Sequence, residues 1–426
     1  MTDLNQTQQD YARFVPAVQT PFLSELTRSG RTAGQITSRE SLNWLLAGAI
    51  FQYDWSLYSA DNDGTPLPHA PHTTIIGDSG GYQIGKGRVP AKWLDDNDAN
   101  VLAYRRRVRQ FFSENCRYGV GLDVPAFGFR EKRVRKAVQM STPREAKQAS
   151  IQNFEWFLRY PPHECELLLP MHGASWPSVL DWYQSVKHLH GTVYTGFAFG
   201  TGAKNNIYNM LRLLVQMHQD GLIYNDRPQL IHMLGRSEIE FAVILTVVKR
   251  AMRKHWNPDQ EVTFDTSNAS YSANLGRLYT EWKLPALGCW SMPDRHIDEV
   301  NDPAVWTNLP SPLLQQLTWN ELVGQRLWDS YAYALLAHHN TWMQIAGIQA
   351  ANRAYDAGRR PGCLDPVHED FETLVNEAFQ QAANGNHAKA NEIIDLNKQD
   401  LLAIDSSIDR TLPEPNPHFA RLFTEE

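Results

Sequence analysis

Polar and glycine residues stand at the ends of several short apolar runs in this sequence. The residues concerned are Asp78 with Gly80 and Gly81, Asp123, His172 with Gly173, Gly200, Gly235, and Asp265. Aspartate and glycine favour turns, so each position alone is explained by chain reversal. Six such run ends together favour a shared site. Three carboxylates that converge repel one another unless a ligand, a proton or a basic group offsets them, so the pattern indicates chemistry.

Substitution at a sugar carbon needs two or three carboxylates and a backbone that a ligand can approach closely, and it needs no metal. The sequence pattern fits this reaction. One carboxylate would attack C1′ and hold a covalent glycosyl intermediate, while a second shuttles the proton of the leaving group, as in retaining glycosidases. Glycines allow a flat ring to approach backbone N–H groups. Tyr82 follows the glycines and could stack on that ring, although a single aromatic residue is more often part of the core.

The middle of the chain alternates short apolar runs with amphipathic stretches, which predicts a parallel sheet. The predicted strands are 73–77, 118–123, 166–171, 192–199, 228–234, 261–265 and 285–290, with further candidates at 14–18 and 45–51. Helical periodicity is clearest at 209–220 and 239–255. We therefore expect an α/β fold, a (β/α)8 TIM-type barrel, with an open doubly wound sheet as the rival. In a barrel the carboxyl ends of the strands would meet at one catalytic face.

The strand pattern stops near residue 300. Residues 319–358 and 371–385 have helical periodicity instead. We expect a catalytic barrel domain over residues 1–300 and a helical C-terminal region over residues 301–426.

The composition limits the class of protein. With 42% hydrophobic and 20% charged residues, the chain is typical of a globular protein, and no apolar run approaches the length of a membrane span. The first residues are polar and lack an apolar signal core, and the four cysteines lie far apart. We therefore expect a cytoplasmic protein with no membrane contact and no disulfide framework.

Basic residues cluster in two runs, 104–110 and 129–139, and three more lie in 85–93, although the net charge is −7. The candidate nucleic-acid contacts in these runs are Arg105, Arg106, Arg109, Arg130, Arg133 and Lys136. Such runs are either solvated helix faces or a phosphate-binding surface, and the sequence leaves both open. Because the runs follow Asp78 and Asp123, they could rim the same face.

The segment "GDSGGYQ" (77–83) resembles the D-S-G-G-[FY]-Q motif of the tRNA-guanine transglycosylases. Further segments are similar to that family in the same order: "GLDVPAFG" (121–128), "LLPMHG" (168–173), "TGFAFGTG" (195–202), "IHMLG" (231–235), "VTFDTSNAS" (262–270) and "ELVGQRLWDSYAYALLAHHNTW" (321–342). The resemblance covers roughly residues 70–345. The first motif is specific, whereas the others are individually weak but collinear.

The resemblance implies a role for each matching residue. Asp265 would be the nucleophile and Asp78 the general acid/base, while Asp123 would accept hydrogen bonds from N1–H and the exocyclic amine of a guanine-like base. Tyr82 would stack on that base. The other implied base-binding residues are Ser79, Gly80, His172, Gly196 and Gly200, with the backbone at 196–200 facing the O6 side.

The chain also departs from the family pattern at the zinc site. His339 matches the zinc-binding histidine, but residues 302–319 before it contain no cysteine. A composite zinc site is conceivable from Cys289, His296, Cys363 and His368. Its spacing fits no standard pattern, so we expect that no metal or cofactor is required.

The pocket departs as well, since Thr201 replaces a loop glutamate of the family and His172 replaces a base-reading glutamine. With these departures and the missing zinc ligands, the chain resembles the phage and bacterial DNA transglycosylases more than the tRNA enzymes. The DNA enzymes exchange guanine in DNA for a 7-deazaguanine. We therefore expect a DNA deoxyguanosine transglycosylase that inserts a preQ0-like base, with DNA and the free 7-deazaguanine as its partners.

Three alternatives stay open on the sequence. The same chemistry could act on tRNA. A catalytically silent nucleic-acid-binding subunit would be indicated by loss of a catalytic carboxylate, but both Asp78 and Asp265 are present. An ordinary glycoside hydrolase on a barrel fold would not explain "DSGGYQ" (78–83).

Overall fold

Eight parallel strands form a single sheet whose spatial order follows the chain. The computed structural model describes residues 2–5, 10–27, 34, 36, 38–61, 68–200, 206–300, 306, 308–323, 330–365 and 370–408. The strands are β1 (Arg13–Pro16), β2 (Trp55–Ser59), β3 (Thr74–Asp78), β4 (Tyr118–Val120), β5 (Glu166–Met171), β6 (Tyr194–Phe199), β7 (Gln229–Met233) and β8 (Gln260–Thr266).

The sheet curls into a nearly closed barrel. β8 pairs with β1 in parallel, with Asp265 opposite Val15. Just beyond β1, the N–H of Val18 donates to the carbonyl of Leu57 on β2 over 3.0 Å, and a parallel bridge joins Ala17 to Leu57. The predicted TIM-type barrel is therefore confirmed, and the open sheet is not observed.

A layer of apolar side chains fills the barrel. Seven of the strands each contribute one residue to it: Val15, Leu57, Ile76, Val120, Leu168, Ala198 and Leu230. Because side chains two apart on a strand share a face, the inward positions above this layer are Asp78 above Ile76 and His232 above Leu230. The layer forms an apolar floor beneath those polar residues.

Helices surround the sheet. They are α1 (Thr20–Thr27), α2 (Gly81–Gly85), α3 (Ala99–Asn115), α4 (Lys132–Val138), α5 (Pro143–Arg159), α6 (Trp176–Val186), α7 (Ile207–Gln219), α8 (Ile239–His255) and α9 (Asn268–Asn274). A 3-10 helix, Ala126–Arg130, precedes α4. Local sequence fixes several starts: α5 begins with a capping box in which Thr142 and Glu145 bond each other's backbone, with Pro143 in the first turn.

The C-terminal region contributes to the outer layer of the barrel. It contains α10 (Trp319–Val323), α11 (Ser330–Asp356), α12 (Phe371–Ala383), α13 (His387–Leu396) and α14 (Lys398–Ile408). The long helix α11 packs against α8, α9 and α1. Tyr11, before β1, donates to Asp356 over 2.6 Å, and Gln349 donates to the carbonyl of Leu4 over 2.7 Å. The predicted boundary at residue 300 thus precedes a helix that is packed onto the barrel.

The last helices pack on α7 and α8. Trp256, at the end of α8, stacks on Phe379 with ring centroids 4.0 Å apart, and its indole N–H donates to the Phe379 carbonyl over 2.9 Å. Tyr208 donates to Asp395 on α13 over 2.7 Å, and the N–H of Ile207 donates to Asp405 on α14 over 2.8 Å. Within the described ranges, no helix has the length and apolar character needed to cross a bilayer.

Two of the predicted strands are wrong. Residues 285–290 form a turn closed by a bridge between Lys283 and Ser291, and Gly288 has a φ of +97°, which interrupts an extended chain. Residues 45–50 are turns and bends, Phe51–Gln52 forms a short strand that pairs with Thr2–Asp3 outside the barrel, and the barrel strand of that region is β2, residues 55–59. The serines in "WSLYS" break the apolar run that would have revealed it.

The stack of Trp256 on Phe379 predicts how strongly the C-terminal helices are attached. Phe379→Ala removes a fully buried ring, so we expect it to lower the free energy of unfolding by about 3 kcal/mol or more. Leu396→Ala is the matched control, because that side chain is 76% exposed and should cost at most about 0.5 kcal/mol. Urea unfolding curves of the three proteins measure both effects, and equal losses would contradict this packing role.

Candidate active site

The three predicted aspartates lie in one cavity at the carboxyl end of the barrel. The cavity has a volume of about 580 Å³, and Asp78, Asp123 and Asp265 all line it. Asp78 ends β3, Asp123 follows β4, and Asp265 lies in β8. The strand ends therefore bring together the carboxylates that the sequence predicted to converge.

Two adjacent glycines are required by the way these aspartates are placed. Gly80 has a φ of +86°, and a Cβ on it would lie 2.1 Å from the Tyr104 hydroxyl. A Cβ on Gly81 would lie 2.3 Å from Oδ1 of Asp123. The first glycine thus permits the turn after β3, and the second leaves space for a carboxylate from the next strand.

Ser79 stabilises the same turn through two hydrogen bonds. Its hydroxyl donates to the carbonyl of Gly121 over 3.2 Å, and its own carbonyl accepts from the Tyr104 hydroxyl over 3.0 Å. The Ser79 side chain is fully buried. Ser79 therefore fixes the backbone beside the site, while the N–H of Gly80 donates to Asp78 over 3.2 Å.

Asp265 is held from one side by the end of β7. Its Oδ1 accepts from the N–H of Gly235 over 2.8 Å and lies 3.2 Å from Nε2 of His232. The imidazole of His232 is fully buried, and its Nδ1 lies 2.8 Å from the hydroxyl of Thr263. Sequence reasoning missed His232 because it stands inside the apolar run "IHMLG". An inward-facing histidine one strand before the predicted nucleophile was the available signal.

Asp123 also has an imidazole partner. Nε2 of His172 lies 2.9 Å from Oδ2 of Asp123, in an ion-pair contact that is not an in-line hydrogen bond. The His172 ring is set edge-on against Trp182, with ring centroids 4.6 Å apart. His172 thus contacts the predicted base-reading carboxylate directly.

Desolvation dominates the environment of Asp78. Burial is the main cause that raises the pKa of Asp78, the hydrogen bonds from Gly80 and Ser59 oppose it, and the charges of Asp123 and Asp265 add to it, so the pKa is about 7. The side chain keeps some surface toward the cavity, but protein surrounds it. A carboxyl group with this pKa exchanges its proton near neutral pH, as a general acid/base must.

Aromatic rings stand at the mouth of the cavity. Tyr82 stacks on Phe127, with ring centroids 5.6 Å apart, and Nζ of Lys86 lies 5.5 Å from the Tyr82 centroid. Tyr271 also lines the cavity, and all three rings are exposed. Tyr82 is therefore not part of the core, and Phe127 is a lining residue that the sequence reasoning did not single out.

The two glycines predicted on β6 are placed differently. Gly200 lines the cavity, and a Cβ on it would lie 2.6 Å from Cε1 of His172. Gly196 lies in the middle of β6, where a Cβ would meet the Leu230 carbonyl at 2.3 Å. Because it lies below Ala198 of the apolar floor, Gly196 serves strand packing, and its predicted contact with a base is wrong. Thr201 lies outside the described residues.

Two arginines of α3 do not fit the predicted phosphate-binding rim. Arg105 is fully buried, and its guanidinium contacts Asp96 and Asn153, each over 2.8 Å, so it cannot meet a polymer. Arg109 is exposed but donates over 3.0 Å to the carbonyl of Pro161, in the connection that leads into β5 at the opposite end of the barrel. Arg106 is exposed on the same helix.

The second basic run lies closer to the site. Arg130, Arg133 and Lys136 are all exposed. Arg130 lines a cleft that adjoins the cavity, and Arg133 lines a smaller one with Lys86 and Arg88. Arg133 also pairs with Glu131 over 2.6 Å. Arg88, from the basic stretch 85–93, lines the catalytic cavity as well.

Those of the residues considered for zinc that the structure describes do not form a ligand set. Nε2 of His339 lies 2.8 Å from the carbonyl of Tyr279, and His296 lies 3.2 Å from Asp298 on a separate hairpin. Cys363 is buried beside Glu240, and His368 lies outside the described residues. In the part of the chain that the structure describes, no group of three or more His, Cys, Asp or Glu side chains is arranged to hold a metal.

In comparisons with known proteins, no family model matches this sequence and no curated protein is significantly similar to it.

The raised pKa of Asp78 has a consequence for stability. An unfolded aspartate has a pKa of about 3.9, so between about pH 4 and 7 the folded protein retains a proton that the unfolded chain releases. The contribution of Asp78 to stability therefore falls as the pH rises through this window. We expect Asp78→Asn to be more stable than the wild type at pH 8, and the difference to vanish toward pH 4.

Unfolding by urea at several pH values measures this difference. Asp259→Asn is the control, because Asp259 is exposed at the other end of β8 and should show no pH-dependent gain. An Asp78→Asn protein that is less stable than the wild type at pH 8 would contradict the desolvated environment.

The contacts of His339 lead to an expectation for metal content. Since its Nε2 lies at a backbone carbonyl and the segment before it lacks cysteine, we expect elemental analysis of purified protein to find far less than one zinc ion per chain. Stoichiometric zinc that survives dialysis would contradict this. In that case His339→Ala and His296→Ala, compared for zinc content, would identify the histidine ligand.

Proposed function

We propose that the protein is a DNA deoxyguanosine transglycosylase that replaces guanine by a preQ0-like 7-deazaguanine through a covalent intermediate on Asp265. The observation that carries the proposal is the pair formed by Asp78 and Asp265 in one cavity. One carboxyl group has a pKa of about 7, and the other is fixed by a backbone N–H. Such a pair supplies a proton carrier and a nucleophile.

In the first step, the Asp265 carboxylate attacks C1′ of the target nucleotide. Gly235 and His232 both contact Oδ1, so we assign the attack to Oδ2. The new bond joins Oδ2 to C1′, the C1′–N9 bond breaks, and its electron pair leaves with guanine. The proton of Asp78 goes to the departing base, which leaves Asp78 as a carboxylate.

In the second step, the 7-deazaguanine takes the place of guanine. The Asp78 carboxylate removes the proton from N9 of the incoming base as N9 attacks C1′. The Oδ2–C1′ bond breaks, and its electron pair returns to Asp265. Asp78 ends protonated, as it began, and two inversions at C1′ retain the configuration.

Recognition of the base is assigned to Asp123 and the aromatic rim. The Asp123 carboxylate accepts from N1–H and the exocyclic amine of a guanine-like base, and His172 at 2.9 Å holds that carboxylate in place. Tyr82 offers an exposed ring for stacking. A base paired in a duplex cannot reach this cavity, so the target guanine is extruded or already single-stranded.

The same residues would serve an enzyme that acts on tRNA. The choice of DNA rests on the overall pattern of the resemblance over residues 70–345 and its departures, since no described residue is assigned to the 2′ position of the sugar. Incubation with labelled guanine and either DNA or tRNA separates the two polymers. Mass analysis of nucleosides from cells that express the protein with a 7-deazaguanine supply identifies the inserted base.

Substitution of the nucleophile tests the mechanism. We expect Asp265→Ala to abolish exchange, because no group is left to bond C1′. We expect Asp265→Asn to be equally inactive but to bind polymer with an affinity within about threefold of the wild type, because the amide keeps the shape of the site.

Labelled-guanine exchange and polymer affinity are measured on the same preparations. Near-normal turnover of Asp265→Ala would show that another residue attacks. Binding of DNA by the wild type without any base exchange would instead favour a catalytically silent nucleic-acid-binding subunit.

A further inference from the structure

A second and larger cleft opens directly beside the catalytic cavity. It has a volume of about 1290 Å³ and lies between the segment after β4, the start of α5 and the start of α6. Pro125, Phe127 and His172 line both spaces. A ligand in the catalytic cavity that continues past these residues would enter the cleft.

Phe127 is fixed at the border by the backbone around it. It belongs to the 3-10 helix Ala126–Arg130, which packs on α2. A Cβ on Gly85 would lie 2.6 Å from the Phe127 ring, and a Cβ on Gly128 would lie 1.8 Å from the Gly85 carbonyl. The ring is nevertheless 41% exposed. A flat apolar surface is thus held open to solvent where the two spaces meet.

The rest of the cleft combines an apolar wall with positive charge. Trp182 is half-buried, and its indole N–H donates to the Pro170 carbonyl over 2.7 Å, which fixes the ring. Arg130 and Arg144 line the cleft and are exposed. The acidic lining residue Asp181 is offset by Lys147 at 2.7 Å, so the arginines determine the charge of the cleft.

We propose that this cleft binds the nucleotide next to the exchanged one, with its base against Phe127 and its phosphate between Arg130 and Arg144. Aromatic stacking beside arginine side chains is how proteins hold single-stranded nucleic acid. The shared border places such a nucleotide one step from the base in the catalytic cavity. This inference rests on the proposed function, because it takes a polynucleotide as the substrate.

Fluorescence anisotropy with short labelled single strands tests the stacking. Each strand carries one guanine, and an abasic residue replaces the nucleotide on its 5′ or its 3′ side. We expect one of the two abasic strands to bind the wild type about fivefold or more weakly than the intact strand. For Phe127→Ala the abasic and intact strands should bind within about twofold of each other.

Two variants separate stacking from a general loss of structure. Phe127→Trp should restore the preference for the intact strand, because the larger ring stacks as well. Tyr160→Ala removes a ring that is also exposed but lies at the end of α5, and it should keep the wild-type preference.

The charge of the cleft is tested by a matched pair of double variants. Arg130→Gln with Arg144→Gln should lower the slope of log affinity against log salt by about 1.4 for a single strand. Arg106→Gln with Arg109→Gln removes the same charge from α3 and should leave the slope unchanged. The reverse result would place the strand along α3 and overturn the proposal.

The outcomes distinguish this inference from the function it rests on. If the wild type exchanges guanine but neither abasic strand binds more weakly, the cleft proposal is overturned and the function stands. If no single strand binds at all, the cleft proposal is overturned. If the abasic effect depends on Phe127 but no base exchange occurs, the subsite stands and the transglycosylase function fails.

Discussion

Three carboxyl groups share one cavity, where they would repel one another. Each of them has different neighbouring groups that reduce this repulsion. Asp265 accepts a hydrogen bond from the Gly235 N–H and has an imidazole at 3.2 Å. Asp123 has an imidazole at 2.9 Å. Asp78 has hydrogen bonds from the Gly80 N–H and from Ser59, and burial outweighs them, so its pKa is raised to about 7. The three carboxyl groups thus differ in their partners although they are the same residue type, and Asp78 is the one whose pKa burial raises.

The barrel supplies these partners through strand geometry. Side chains that face inward recur every second residue, so the apolar floor at Ile76 and Leu230 is followed by Asp78 and His232 on the next inward positions. The floor excludes water from below, which strengthens the interactions among the groups above it. Gly81 then leaves the space that the Asp123 carboxylate occupies. A side chain at that position would force the two loops apart.

The sequence predicted best those features in which a residue type has a single structural role. Apolar runs revealed most of the barrel strands, and the carboxylates at their ends revealed the cavity. β2 was missed because its serines interrupt the run; one of them, Ser56, donates over 3.0 Å to the carbonyl of Pro16 on the neighbouring strand. Arg105 was misjudged because a basic run does not show which member turns inward to meet Asp96. The sequence did not predict His232 as a site residue, because a histidine within an apolar run is usually part of the hydrophobic core.

The segment after β3 and the segment after β4 act as one structural unit. The carbonyl of Gly85 lies so close to Gly128 that a Cβ on Gly128 would meet it at 1.8 Å, and the Phe127 ring packs against Gly85. Tyr82 stacks on that ring. The proposed base-stacking residue and the residue at the border of the second cleft are therefore in direct contact. The first of these segments follows Asp78 directly, and the second contains Asp123. The packing of the two segments therefore places the rim residues beside both carboxyl groups.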